Sequence, residues 1–192
     1  MTHHERRETE MRKIIAGFFI SLDGVVEAPD QWHFPYFDDE MGAAVGAQME
    51  ESDALLMGRV MYQEWAAYWP GKTAEDDPFA GYINNISKYV ISSTLDSADW
   101  ENTTLLRGDL VEQITELKNR PGKHISMSGS TTLVRSLLRH GLLDELRLLV
   151  HPIAVGQGQR LFEDGQRVPL KLTSSTTFKT GVLSLIYEPA EK

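Results

Sequence analysis

The feature that most restricts how this chain can fold is a junction that occurs three times. An apolar, strand-like run breaks at small or hydroxylated residues, and in two of the three cases it re-forms as a helix. The first is Leu55-Leu56-Met57-Gly58-Arg59-Val60-Met61-Tyr62, a buried strand that breaks at Gly58 and enters a helix behind Arg59. The second is the run Lys88-Tyr89-Val90-Ile91-Ser92 followed by Ser93-Thr94, and the third is His124 to Ser128 running into Gly129-Ser130-Thr131-Thr132. After the third, Leu133, Leu137 and Leu138 mark an amphipathic helix closed at Gly141. Strands that alternate with helices are joined by crossovers and pair in parallel, so these junctions predict an α/β domain.

The remaining segments agree. Lys13 to Ile20 is an apolar run ended by Ser21-Leu22-Asp23-Gly24, and Asp39 to Glu51 carries Met41, Ala44, Val45, Gln48 and Met49 at helical spacing behind an acidic first turn. Ala54 to Met57 is a strand, and Val60 to Tyr68 a helix stopped by Trp69-Pro70-Gly71. Thr103 to Leu106 is a short strand, and Asp109 caps a helix from Leu110 to Asn119 that Pro121-Gly122 ends. Glu145 to Pro152, Leu170 to Phe178 and Val182 to Tyr187 are strands, the last two joined by Lys179-Thr180-Gly181 as an antiparallel hairpin. The expected fold is α/β, a mostly parallel sheet flanked by helices in three layers, with that hairpin at its C-terminal edge.

Composition sets limits on function. At 192 residues and 41% hydrophobic content, one domain over 12–192 is the default, preceded by a polar tail, 1–11, expected to be disordered. The tail lacks the apolar core of a secretory signal, and no run approaches the roughly 18 to 20 apolar residues that cross a bilayer. A soluble, cytoplasmic protein is therefore expected. With no cysteine there are no thiolate metal sites, and His3-His4 in the tail reads as incidental, so no metal site is expected. A formal charge of −9 argues against nucleic acid or an anionic membrane as partner. Any anionic ligand must be held by local donors.

Ligands of open α/β sheets sit at the carboxyl ends of the strands, and all three junctions lie there. Gly58 lets another molecule approach the backbone, the helix start at Val60 offers unpaired N–H groups, and Arg59 adds a fork of donors. Ser92-Ser93-Thr94 and Gly129 to Thr132 add hydroxyls and amides. Together they could hold the separated phosphates of a dinucleotide. Ordinary turn chemistry also explains Ser92 to Thr94, and packing alone also explains a strand-Gly-helix junction.

The order strand-Gly-Arg-helix, strand-Ser-Ser-Thr and strand-Gly-Ser-Thr-helix, followed by an antiparallel hairpin, resembles the dihydrofolate reductase fold. More specifically, it is similar to the reductase (C-terminal) domain of the bifunctional riboflavin-biosynthesis deaminase/reductase. Ser21-Leu22-Asp23-Gly24, Gly141-Leu142-Leu143-Asp144-Glu145 and Gly156-x-Gly158-x-x-Leu161-Phe162 carry the closer likeness, which covers roughly Arg12 to Pro189.

The resemblance implies an NADPH site. Arg59 and Ser92-Ser93-Thr94 match positions that meet the adenosine ribose and its 2′-phosphate, and Gly129 to Leu133 match the turn beneath the pyrophosphate. A 2′-phosphate asks for a guanidinium and hydroxyls, whereas NADH recognition places a carboxylate on the ribose, and no acid stands at these strand ends. Arg107 is a second candidate phosphate contact, or a plain surface residue. Trp32-His33-Phe34-Pro35 before Asp38 is similar to the Trp-x-Leu-Pro segment that precedes the active-site acid of dihydrofolate reductases, with the offset one residue longer. Asp38 is the candidate proton donor, with Asp39 and Glu40 as competitors, and complementing the helix dipole is the alternative role for Asp38 and Asp39. Asp23 faces the same mouth and either hydrogen-bonds the substrate or forms a turn with Gly24.

The substrate is less defined. Asn84-Asn85-Ile86-Ser87 lacks the arginine that holds folate, and 24–49 contains no Lys or Arg for a ribose phosphate. Trp32, Phe34, Tyr36, Phe37, Trp65, Tyr68 and Trp69 could instead line a pocket for a flat neutral ring, two or three of them in contact with it. Gly156, Gly158 and Phe162 would bring a loop close to the nicotinamide, unless the glycines merely make a β-turn. The function implied is an NADPH-dependent reductase of a small heterocyclic or carbonyl/imine substrate, resembling 5-amino-6-(5-phosphoribosylamino)uracil reductase, in a homodimer. The alternatives are a non-catalytic nucleotide-binding or ligand-sensing module, and dihydrofolate reductase, which is disfavoured. Deamination by the zinc route is excluded because its Cys-x-x-Cys is missing.

Overall fold

The structure, a computed structural model, describes residues 11–165 and 167–190. The tail 1–10, with His3 and His4, lies outside the described residues. Eight strands form one sheet: β1 (Ile14–Ser21), β2 (Ser52–Gly58), β3 (Ser87–Ile91), β4 (Thr103–Leu106), β5 (His124–Met127), β6 (Glu145–His151), β7 (Leu170–Thr177) and β8 (Leu183–Pro189). Their order across the sheet is β4-β3-β2-β5-β1-β6-β8-β7. The pairings from β4 across to β6 are all parallel, and β8 then runs antiparallel to both β6 and β7. This is the three-layer, mostly parallel architecture with an antiparallel C-terminal hairpin that the sequence predicts.

The helices are α1 (Asp39–Glu50), α2 (Arg59–Tyr68), α3 (Ala80–Asn85), α4 (Leu110–Asn119) and α5 (Thr131–Arg139). Most bounds agree with the sequence reading to within one or two residues. The exception is α3, which the sequence reading missed. Its six residues are AGYINN, too short for an apolar period and rich in poor helix formers.

Central strands covered on both faces are mainly apolar. Ile14, Ala16, Phe18 and Ile20 of β1 pack with Ile114 and Leu117 of α4 and with Val134 and Leu137 of α5, while Phe19 turns to the other face with Met41 of α1. β7, at the sheet's end, is exposed along nearly its whole length. At the amino ends of the strands, Asp144 accepts from the Ile14 backbone N–H at 2.7 Å and from Lys118 Nζ at 2.7 and 2.8 Å. That fixes β1 against α4 on the side away from the junctions. No helix among the described residues is long and apolar enough to cross a membrane.

Lys88 of β3 is 0% exposed. Its Nζ donates to the carbonyls of Asn84 (3.0 Å), Ile86 (2.9 Å) and Glu101 (3.1 Å), and lies 4.4 Å from the centre of the Trp100 ring. It therefore caps the carboxyl end of α3, whose last carbonyls have no helical partner. Burial pushes its ammonium down to about 8, with Glu101 opposing, so it stays charged at neutral pH.

Candidate functional site

β3, β2 and β5 are consecutive in the sheet and parallel, so the tips at Ser92-Ser93-Thr94, Gly58-Arg59 and Gly129-Ser130 share one edge. Two of them touch: the Gly58 N–H donates to Ser130 Oγ at 2.8 Å. A Cβ on Gly58 would lie 2.8 Å from that oxygen. The glycine is thus demanded first by the neighbouring strand end, the packing role that the sequence reading set beside close approach of a ligand. Ser130 itself has φ 60° and ψ 65°, a left-handed conformation costly for a non-glycine residue, and immediately precedes α5.

Around this floor the donors differ in availability. Arg59 and Val60 are exposed in the first turn of α2, and the only hydrogen bond of the Arg59 side chain among the described residues goes to Gln63 Oε1 at 2.9 Å. Ser93 and Thr94 are exposed as well. Ser92 is buried, and its Oγ accepts from the N–H groups of Thr94 and Leu95 at 3.1 Å each, so it shapes the turn. Arg107 likewise folds the loop after β3, donating to the carbonyls of Leu95 and Asp96. Thr132 is exposed while Thr131 and Leu133 are buried.

Arg135, one turn further along α5, escaped the sequence reading because it looks like a surface residue of an amphipathic helix. It is buried, donates to Thr131 O at 3.2 Å and Thr131 Oγ1 at 3.0 Å, and pairs with Glu163. It therefore ties the start of α5 to the loop that carries Gly158 and Phe162. Phe162 is half-buried, and with Arg135, Gly158 and Arg160 it lines a small groove of about 220 Å³.

The loops after β1 and β6 pair with each other, which nothing local in the sequence signals. Leu22 N–H donates to Ile153 O, Val26 N–H to Gln159 O and Leu161 N–H to Gly24 O, with an antiparallel bridge between Val25 and Arg160. Asp23 fastens this frame. Its carboxylate accepts from Ser21 Oγ at 2.6 Å, from the Val155 N–H at 2.9 Å and from the Gly156 N–H at 2.8 Å. Those donors, the Ser21 hydroxyl first, hold its carboxyl down at about 2, so it is ionised and occupied. Gly158 has φ +116°, and a Cβ there would meet Val25 Cγ1 at 2.9 Å. Its freedom serves the chain's own loop pairing. Gly156 has φ +85° and open space beside it.

Asp38 caps α1: its Oδ1 accepts from the Met41 N–H at 2.9 Å, a directed bond where the sequence reading's alternative to catalysis was only a charge complementing the helix dipole. Asp39 lies exposed in the same first turn, and Glu40 accepts from the Lys179 N–H at 2.8 Å.

The aromatic residues divide. Trp65 and Trp69 pack in the cluster beneath α2 and α3, where Tyr68 meets Trp69 edge to face, so these three do not join the others in one pocket. Trp32, Phe34, Tyr36 and Phe37 instead gather around two histidines, His33 and His151, whose roles the sequence reading did not identify. Tyr36 also packs against Met41, Phe178 and Val182, and the Trp32 indole N–H donates to Glu27 O at 3.1 Å.

Burial lowers the pKa of both imidazoles below 6.5. For His33, repulsion from His151 adds to this and Asp30 opposes it; for His151, backbone contacts at Leu149 and Ile20 oppose it. The unfolded chain therefore binds protons that the folded one refuses as pH falls through about 6.5, and stability is lost in that direction. Melting temperature should fall between about pH 6.5 and 5, and fall less in a His151→Phe variant. Equal slopes in the two proteins would contradict this reading.

A family model described as the RibD C-terminal domain matches residues 12–184. An uncharacterized protein of Bacillus subtilis (strain 168), YyaP, is 30% identical over 182 residues, which cover 93% of this chain and 95% of that protein. A solved structure from Shewanella sp. PV-4, described as a putative riboflavin biosynthesis protein, superposes with a TM-score of 0.73 at 20% identity over 93% of this chain and 99% of the other. The diaminohydroxyphosphoribosylaminopyrimidine deaminase/5-amino-6-(5-phosphoribosylamino)uracil reductase of Thermotoga maritima gives 0.66 at 15% identity, over 94% of this chain and 57% of that one.

Proposed function

This chain belongs to the RibD C-terminal domain family, a reductase-like family, and on that premise we propose that it is an NADPH-dependent reductase of a small heterocyclic or carbonyl/imine compound. The observation that carries the reading is the convergence of three strand ends on one edge, two of them joined by the bond from Gly58 to Ser130. The donor set fits the cofactor. Arg59, Ser93 and Thr94 combine a fixed positive charge with hydroxyls, as a 2′-phosphate requires. The left-handed turn at Gly129-Ser130 leads into Thr131, Thr132 and Leu133, whose N–H groups begin α5 and suit a pyrophosphate. Gly58 and Val60 would line the floor between them.

When bound, the cofactor would supply a hydride. The chain's own part would be to orient and to exclude water. Arg135 would fix the start of α5 relative to the Gly158 and Phe162 loop, and Asp23 would hold that loop as a positioning residue. Trp32, Phe34 and Tyr36 would wall the substrate side. The proton would come from a water ordered near Asp38, since that carboxylate accepts from the Met41 N–H. We place the protein in the cytoplasm as a homodimer, with the exposed β7 hairpin as the contact.

A second reading is a nucleotide-binding module without turnover. It is favoured by the engagement of both candidate acids, Asp23 in the loop frame and Asp38 in a helix cap. Titration with NADPH, followed by fluorescence of the reduced nicotinamide, tests both. Absence of binding at near-millimolar cofactor overturns both readings. Binding without oxidation by any of a panel of pterins, flavin precursors and small quinones favours the module.

A further inference from the structure

Two buried imidazoles, His33 and His151, stand between the ends of β1 and β6 and have no part in the proposed cofactor site. His151 ends β6 opposite Ser21 of β1 and is 0% exposed. Its Nδ1 lies 2.8 Å from the Leu149 carbonyl oxygen. A carbonyl can only accept, so Nδ1 carries the proton and Nε2 of the neutral ring carries a lone pair. That Nε2 is buried and has no hydrogen-bond partner among the described residues. Folded proteins rarely leave such an acceptor unmatched, so this one calls for a partner or a role.

His33 lies beside it, with ring centres 6.1 Å apart and planes nearly perpendicular at 86°. Its imidazole stacks on Phe19 of β1 at 4.6 Å and 18°, and Phe34 covers it from 4.3 Å. The ring thus fills a flat slot with aromatic walls, yet its own Nδ1 is also buried without a partner among the described residues. A flat heterocycle would make the same stack. The segment that carries His33 is held by short contacts of its own: two 3-10 turns, Pro29–Gln31 and Phe34–Tyr36, flank it. It is entered through Ala28 at φ 45°, a left-handed backbone that a non-glycine residue adopts only under constraint. Phe34 and Phe37, at 64% and 42% exposed, form its outer side.

We propose that His151 is a specificity-determining residue whose Nε2 accepts a hydrogen bond from an N–H or O–H on the edge of a planar substrate, and that His33 is the ring such a substrate displaces from the slot on Phe19. The inference rests on the reductase reading only in taking this end of β1 and β6 as the substrate side. It adds a selection rule: a ring with a donor at the edge facing His151 is accepted, and an isostere without one leaves the lone pair unmatched and is rejected. It also adds a latch, because binding competence requires His33 to leave its stack.

The test uses 2-aminopyrimidine and its donor-free isostere 2-methylpyrimidine, titrated calorimetrically into the full chain. Wild type should prefer the amino compound. His33→Ala should bind it on the order of tenfold more tightly, because the slot no longer has to be vacated. His151→Phe, which keeps a ring but removes the acceptor, should lose the preference. In wild-type protein the nitrogen resonance of His151 Nε2 should move on adding the amino compound and stay in place with the methyl compound, a readout that needs no variant and that a purely structural histidine would not give. Equal affinity for the two compounds in wild type, preference retained in His151→Phe, or no gain in His33→Ala overturns the proposal. NADPH titration of wild type reports separately on the reductase reading: cofactor binding without ring selectivity overturns this inference alone, and ring selectivity without cofactor binding overturns that reading alone.

Discussion

Replacing Arg59 by alanine should weaken NADPH binding by about 1.5 to 3 kcal/mol, roughly ten- to 150-fold, and leave NADH almost unaffected. The asymmetry follows from what the side chain would touch. A guanidinium on the 2′-phosphate makes charge-assisted bonds that the unphosphorylated ribose cannot make. Arg59 is exposed and already donates to Gln63 at 2.9 Å, a bond that must be given up or shared, so the loss should sit toward the lower end of that range. It should also shrink at high salt, since an exposed contact is screened. The measurement is nicotinamide fluorescence at two ionic strengths with both cofactors. An equal loss for NADPH and NADH would remove Arg59 from the 2′-phosphate and reopen the choice of cofactor.

Lys88→Met should lower stability by about 3 kcal/mol, the largest effect expected from a single side chain outside the aliphatic core. Methionine keeps most of the buried volume, so the change isolates the ammonium. Without it, the carbonyls of Asn84, Ile86 and Glu101 lose their shared donor, only Asn84 and Glu101 keeping weaker ones from Asn102 Nδ2 and Thr103 Oγ1, and Trp100 loses its cation. For a chain of this length that corresponds to a drop of roughly 6 to 12 °C in melting temperature. Replacing buried charge by an apolar side chain is sometimes neutral, but only where the partners are replaced too, and backbone carbonyls cannot be. An unchanged melting temperature would mean that the carboxyl end of α3 finds other donors.

The architecture could be read from the chain because the signals that define it are local. β4 and α4 have the bounds expected from Thr103 to Leu106 and from the Asp109 cap, and the tips at Gly58, Ser92 and Gly129 follow strands whose apolar runs are unambiguous. What could not be read depends on partners distant in sequence. Asp23 looks like half of an Asp-Gly turn, and only the fold brings Val155 and Gly156 to its carboxylate. Gly158 reads as room for a ligand until Val25 occupies that room. Neither Lys88 nor Arg135 stands out in the sequence, because burial of a long cation leaves no periodic trace. His33 and His151 are separated by most of the chain, and neither belongs to a spacing that ligand-binding histidines would show. The aromatic residues failed differently: residue type and proximity in sequence suggested one pocket, whereas helical direction sends Trp65 and Trp69 into another core.

The bond from Gly58 to Ser130 has a practical consequence for anyone wishing to change coenzyme preference. It makes two strand ends into a single rigid piece, so substitutions that alter the turn around Ser130 would also disturb the backbone on which Arg59 stands. The side chains of Arg59, Ser93 and Thr94 lie outside that piece and face solvent. Redesign toward the unphosphorylated coenzyme should therefore be confined to those exchangeable surface groups, with the masonry beneath them left alone.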